Sequence, residues 1–275
     1  MIKIIDVDEL FDKYISDYVY SNIGKVKPEE IENKIPELYE KFGTEKLPEL
    51  DGKTPSDYYG SFSAEELLEC LKNHIETGVS VSDFLCEALT LNMNSETALI
   101  NAISSDESEE FTLYAMNMLM EIGSLKCLNR FLEFVLWDYS GTIKELATEY
   151  LRAHAESVKE SVLEQYKDAD KTIKEYLTEI LAGTKGDDRV FKILIDEFIL
   201  NADKIPVYAG YLAKFGDDRA LPFLLTAIEN EKINYADFEE LRFAIEALGG
   251  TYDKERDFKK DKFYKKIKGI SKTDN

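Results

Sequence analysis

Two histidines, three cysteines and several adjacent carboxylate pairs are the residues of this 275-residue chain best equipped for chemistry. A serine or cysteine nucleophile needs a histidine base within hydrogen-bond reach and a carboxylate to orient it. His74 and His154 lie far apart in the chain, and nothing around either favours such a triad. Cys70 and His74 are four positions apart, so one helical face would carry both, with Cys86 one helix later. A closed structural zinc site needs four ligands, and Glu69 or Glu87 would have to serve as the last. The spacing is better met by buried cysteines beside a partly exposed histidine. Gly52-Lys53-Thr54 imitates the end of a phosphate-binding loop, but Leu47 stands where that loop needs its first glycine and Pro55 removes an amide. This stretch predicts a turn. The pairs Glu65-Glu66, Glu109-Glu110 and Glu239-Glu240 fall at helix starts, where the helix dipole favours negative charge. The one tryptophan, Trp137, ends a helix and is expected to plug a seam between helices. No catalytic residue, metal ligand or cofactor site is expected.

The elements that would position these residues are helices. Apolar residues make up 44% and charged residues 32%, glycine and proline are sparse, and alternating β-branched runs are missing. Leu10, Phe11, Tyr14, Ile15, Tyr18 and Val19 repeat at helical spacing, and Pro28-Glu29-Glu30 opens a second helix that Pro36 kinks or breaks before Gly43. Residues 44–60 hold Pro48, Asp51-Gly52 and Thr54-Pro55, and predict turns. Ser63 and Glu66 form a capping box. From Ser95 onward the periodicity predicts helices over 95–104, 108–122, 124–138, 141–154, 156–167, 170–182, 187–201, 204–215, 217–230 and 236–248.

Every second helix of this run ends alike. The segments finish at Gly123, His154, Thr184, Gly216 and Gly249, at intervals of 31, 30, 32 and 33 residues. Gly186-Asp187-Asp188-Arg189 and Gly216-Asp217-Asp218-Arg219 lie 30 residues apart and each opens an apolar run. A period of this size marks stacked helical hairpins, which bury their apolar faces only against neighbours. Asp217 can cap a helix start, and Arg219 can bond the aspartate of the adjacent repeat. Residues Gly216, Asp217, Arg219, Ala220, Leu221 and Pro222, followed by Arg242, Ala244, Ala247, Leu248 and Gly249, resemble the HEAT-like (PBS-lyase-type) repeat. The resemblance is clearest over 186–250. The preceding unit has Val190-Phe191 in place of Ala-Leu and lacks the proline, and the loop 230–237 is longer than the family's turn.

The resemblance implies an all-α fold, a right-handed α-α superhelix or HEAT-like α-solenoid, with a less regular helical N-terminal region. The domains read from the sequence are a helical cap over 1–80, a repeat array over 81–252 and a basic capping helix or tail over 253–275. Such arrays present the second helix of each repeat on a concave surface. Its outward polar positions would be Asn117 and Glu121, then Glu145, Glu149 and Arg152, then Glu175 and Glu179, with Arg242 and Glu246 near the end.

The formal charge is −21, and the stretch from Asp253 holds nine Lys/Arg against five Asp/Glu, so the residues before it carry −25. That charge disfavours nucleic acid and favours basic partners. The expected function is a non-enzymatic scaffold that binds a basic peptide or protein. The alternatives are a bilin-lyase-like repeat enzyme or subunit, and an acidic inhibitor of a nucleic-acid-binding protein. The N-terminus resembles no signal peptide, and no apolar run approaches the roughly 20 residues of a membrane span. With cysteines at buried spacings, this predicts a cytoplasmic protein without membrane or cofactor.

Overall fold

The structure is a computed structural model that describes residues 3–22, 28–104 and 108–267. Among the described residues it is all-helical, with one isolated bridge between Leu47 and Lys53 and no β-strand. The chain divides into two compact units at Arg130/Phe131. The sequence boundary at residue 80 runs through the first of them.

The first unit contains α1 (Val7–Ser21), α2 (Pro28–Glu32), α3 (Ile35–Gly43), α4 (Pro55–Gly60), α5 (Ala64–Thr77), α6 (Asp83–Leu91), α7 (Ser95–Ala102) and α8 (Glu109–Ile122). The first turn of α9 (Leu128–Leu136) completes it. Local chemistry sets these boundaries. Asp6 accepts the amide of Glu9 to start α1, and the capping box of Ser63 and Glu66 starts α5. Phe11 of α1 meets Tyr39 edge-on at 4.8 Å, and Phe84 of α6 stacks on Tyr39 at 5.1 Å. Gly43 leaves room for that ring, because a Cβ there would lie 3.0 Å from Phe84. The turn expected over 44–60 is more ordered than the sequence implies. A 3₁₀ turn at Pro48–Leu50 is followed by α4, which begins at Pro55 because proline is tolerated at the first helical position and Thr54 caps it.

The second unit runs from Phe131 through α10 (Gly141–Ala153), α11 (Ala155–Tyr166), α12 (Lys171–Leu181), α13 (Asp188–Leu200), α14 (Ile205–Phe215), α15 (Leu221–Ile228), α16 (Tyr235–Ala247) and α17 (Lys262–Ile267). Hairpins form between α11 and α12, α13 and α14, and α15 and α16. Second helices also pack on one another, α10 on α12 and α14 on α16. Leu151, Val162, Leu177, Leu181, Leu194, Leu212, Leu224 and Leu241, one or two from each of these helices, are all buried. Each full burial contributes about 2 kcal/mol before the entropy of ordering is subtracted.

The two Gly-Asp-Asp-Arg copies are turns between these hairpins. Gly186 and Gly216 have φ of +64° and +79°, the left-handed region that favours glycine. Asp187 and Asp217 each accept the amide two residues on. Arg189 reaches back to Glu160 through both terminal nitrogens, at 2.9 and 2.6 Å, and Arg219 reaches back to Asp188 at 2.7 Å. The expected inter-repeat bond of Arg219 is therefore present.

The C-terminal expectation needs a correction. In place of a helix from Lys254, an irregular segment crosses the end of the unit and only α17 is helical. Phe258 is buried against Phe238 and Tyr235, and Arg256 donates to the carbonyls of Ile228 and Asn230. Capping is done by these contacts, which a continuous helix could not make from one face. The remainder of the expected tail, residues 268–275, lies outside the described residues.

Candidate interaction face

On α10 the buried residues Ile143, Ala147, Tyr150 and Leu151 face inward, which turns Glu145 and Glu149 out to solvent. On α12, Leu177, Ile180 and Leu181 face inward, and Glu175 and Glu179 are half-buried at the surface. Because α10 packs directly on α12, these carboxylates belong to one surface. Arg152 at the end of α10 donates to Glu179 at 2.6 Å, and the hydroxyl of Tyr211 on α14 donates to the other oxygen at 3.2 Å. Glu175 accepts from Lys204 at 2.7 Å. On α16, Arg242 lies 3.8 Å from Glu239 and 3.5 Å from Glu246.

The outward residues read from the sequence thus fall into three groups. Arg152, Glu175, Glu179, Arg242 and Glu246 are held in ion pairs within the second unit. The side chains of Glu145 and Glu149 make no hydrogen bond or ion pair among the described residues. Asn117 and Glu121 belong to α8 of the first unit, where Asn117 donates to the carbonyl of Leu113 in its own helix and Glu121 is exposed. The acidic excess of the second unit's face is therefore concentrated on α10.

Electrostatics follow these contacts. Burial, then the charge of Glu179, raises the Tyr211 hydroxyl above the ordinary tyrosine range, so it stays a donor. The hydrogen bond to Glu175 raises Lys204. Burial, reinforced by the Arg152 charge, lowers Lys214. Lys204 and Tyr211 were not singled out by the sequence, although their spacings of 29 and 32 residues from Glu175 and Glu179 match the repeat.

The residues with potential chemistry have other occupations. His74 is buried, where partial exposure was expected, with Nδ1 2.7 Å from the carbonyl oxygen of Ser80. Burial raises the thiols of Cys70, Cys86 and Cys127 to about 11, which keeps them protonated and poorly nucleophilic at neutral pH. No group of three or more metal-ligating side chains occurs among the described residues. Among them, no helix is long and apolar enough to cross a membrane. His154 ends α10 and packs edge-on against Tyr150 at 4.5 Å. Lys53 donates to Ser61, and Thr54 caps α4, so the phosphate-loop lookalike is a turn and a cap. Trp137 requires a further correction. It is 57% exposed rather than sealed in a seam, because α9 ends at Leu136 and the next residues turn outward before Ser140 caps α10.

No family model and no curated protein matches the chain.

Proposed function

We propose that the chain is a non-enzymatic, cytoplasmic interaction scaffold, a HEAT-like α-solenoid whose second-helix face binds a basic peptide or basic protein surface. One observation carries this reading. Glu145 and Glu149 stand exposed and unpaired on α10, beside Glu175 and Glu179 of α12, which Lys204, Arg152 and Tyr211 already engage. A lysine- or arginine-rich segment laid across α10 and α12 would meet two free carboxylates and two that can be shared with it. Charged faces of this kind contribute mainly to encounter rate and selectivity, and they weaken with salt. The thiols of Cys70 and Cys127 are buried and His74 is held by the Ser80 carbonyl, so the reading rests on none of them.

The test is fluorescence polarisation with a labelled Lys/Arg-rich peptide and the full chain. Binding is expected at low ionic strength, declining as salt rises, and lost in the Glu145→Lys/Glu149→Lys variant. Both residues are exposed and unpaired, so the variant should fold normally. A duplex DNA probe should not bind. Absence of peptide binding at low salt, or equal binding by the double variant, would remove the assignment to α10.

A further inference from the structure

Away from the second-helix face, the second unit has an apolar hollow of about 470 Å³ between the end of α13 and α15. Phe198, Ile199, Ala202, Ile205, Phe223 and Ala227 line it. Ile199 and the adjoining Leu200 are 56% and 75% exposed, and Phe223 is 38% exposed. Exposed apolar residues clustered around a concavity mark an interaction site more often than scattered ones do. Its surroundings are acidic. Asp203 follows the lining residue Ala202, and Glu231 follows the lining residue Asn230. Neither carboxylate has a side-chain ion pair or hydrogen bond among the described residues.

The chain itself carries the complementary shape. In α17, Phe263 is 49% and Ile267 56% exposed. They are four residues apart and so share one helical face. Lys262, Lys265 and Lys266 flank them, in a stretch that is net basic although the sequence as a whole is acidic. The other side of α17 is fixed on its own unit. Tyr264 packs on Tyr235 at 4.9 Å, and Asp261 accepts amides from Phe263, Tyr264 and Tyr235. No residue of 252–267 lines the hollow. An apolar pair on a basic helix is thus displayed, and an apolar hollow among acidic residues is left open, on the same unit.

We propose that the hollow receives Phe263 and Ile267 of α17 from a second copy of the chain, with Lys262, Lys265 and Lys266 against Asp203 and Glu231. The two patches differ, so the contact is heterologous and joins copies head to tail. One short helix covers too little surface for a permanent dimer, and the association should be weak and concentration-dependent. This inference does not depend on what binds the α10–α12 face.

Sedimentation velocity of the full chain over increasing concentration at physiological salt tests it. The weight-average mass should rise with concentration. Phe263→Ser/Ile267→Ser removes the insert and Ile199→Asp/Phe223→Asp removes the receptor; each should weaken association at least tenfold. All four residues are exposed, and circular dichroism checks that the variants fold. The decisive experiment mixes the two variants. Each retains one working half, so together they should form a one-to-one pair that neither forms alone. A second check exchanges charge: Lys262→Glu/Lys265→Glu/Lys266→Glu should dissociate the chains, and Asp203→Lys/Glu231→Lys on the other partner should restore pairing. A monomer at every concentration would overturn the proposal, as it would if the chain's own C-terminus filled the hollow. Association that survives both apolar variants, or a mixture that fails to pair, would do the same.

Discussion

The same four residues, Gly-Asp-Asp-Arg, make two different junctions in the second unit. At the first, Arg189 grips Glu160 on α11 with both terminal nitrogens and has no aromatic partner among the described residues; Ser161 occupies the position that Phe191 holds one hairpin later. At the second, Arg219 bonds Asp188 and lies 4.4 Å from the ring of Phe191. Asp188, the second aspartate of the first copy, is therefore the acceptor for the second. Asp218, its counterpart in the second copy, has no ion pair among the described residues, and no further copy of the motif follows it. The helices also start differently. The first copy runs straight into α13 at Asp188, whereas the second passes through a 3₁₀ turn over Asp218–Ala220 before Leu221 and Pro222 open α15. The motif is a directional connector: each arginine looks back one hairpin, and each second aspartate waits for the next.

The largest effect that separates the junctions should come from Gly183, three residues before the first copy. A Cβ there would stand 2.4 Å from the carbonyl oxygen of Arg152 and 2.9 Å from the Cβ of Ala155. The equivalent position before the second copy is Ala213, inside α14, where a Cβ is accommodated. Gly183→Ala should cost about 3 kcal/mol in urea unfolding, because backbone must shift to admit it. The reverse exchange, Ala213→Gly, should cost only about 1 kcal/mol from helix propensity. Equal effects would show that the two junctions are packed alike.

Next come the turn glycines. Gly186→Ala and Gly216→Ala force a side chain into positive φ and should each cost about 1 kcal/mol. Gly216→Ala should be the more harmful, since its Cβ would lie 3.2 Å from Nζ of Lys185, which donates to the carbonyl of Phe215. The ranking can be read from urea midpoints.

Removal of the arginines should matter less, since both are surface groups. Arg219→Ala should lower the melting temperature more than Arg189→Ala, because it loses the Phe191 contact as well as the ion pair. Phe191→Ala in the background of each variant should erase that difference, and a persistent difference would assign it to the carboxylate partners.

The smallest effect is in acid. The neighbouring arginine side chain, helped by backbone amides, holds Asp187 and Asp217 below the usual aspartate range, Asp187 well below. A depressed carboxylate stabilises the fold above its unfolded value near 4, and that contribution is lost as pH falls through the folded value. Asp187→Asn should therefore flatten the loss of stability below about pH 4 more than Asp217→Asn does. Thermal melts across the acid range would show it, and identical acid slopes would contradict the unequal grip of the two arginines.

Much of this architecture was legible in the sequence, because it rests on local rules. The spacing of apolar residues expected helices at 141–154 and 170–182, and they run over Gly141–Ala153 and Lys171–Leu181. Ser140, Asp170 and Asn234 fix the starts of α10, α12 and α16 by accepting amides in the first turn, which any chain with those residues there would do. The back-reaching Arg219 was also legible, since a fixed period puts equivalent turns side by side.

The candidate face was legible only in part. Outward positions follow from helical phase, and Glu145 and Glu149 are outward. Which carboxylates remain free does not follow, because Lys204 and Tyr211 come from the next hairpin and their reach depends on how the hairpins stack. Trp137 and the C-terminal segment were misread for the same reason. A tryptophan at a helix end carries no local sign of which way the chain turns, and the burial of Phe258 depends on Phe238 and Tyr235 being on the surface it crosses.

By itself, then, the sequence determined the all-helical character and most of the helix starts and ends from α5 to α16, which are properties of residues within a few turns of one another. Tertiary structure alone decided which charges are spent, which apolar residues stay exposed, and where the hollow between α13 and α15 opens. Those depend on distances between residues from different hairpins, and such distances exist only once the helices have packed.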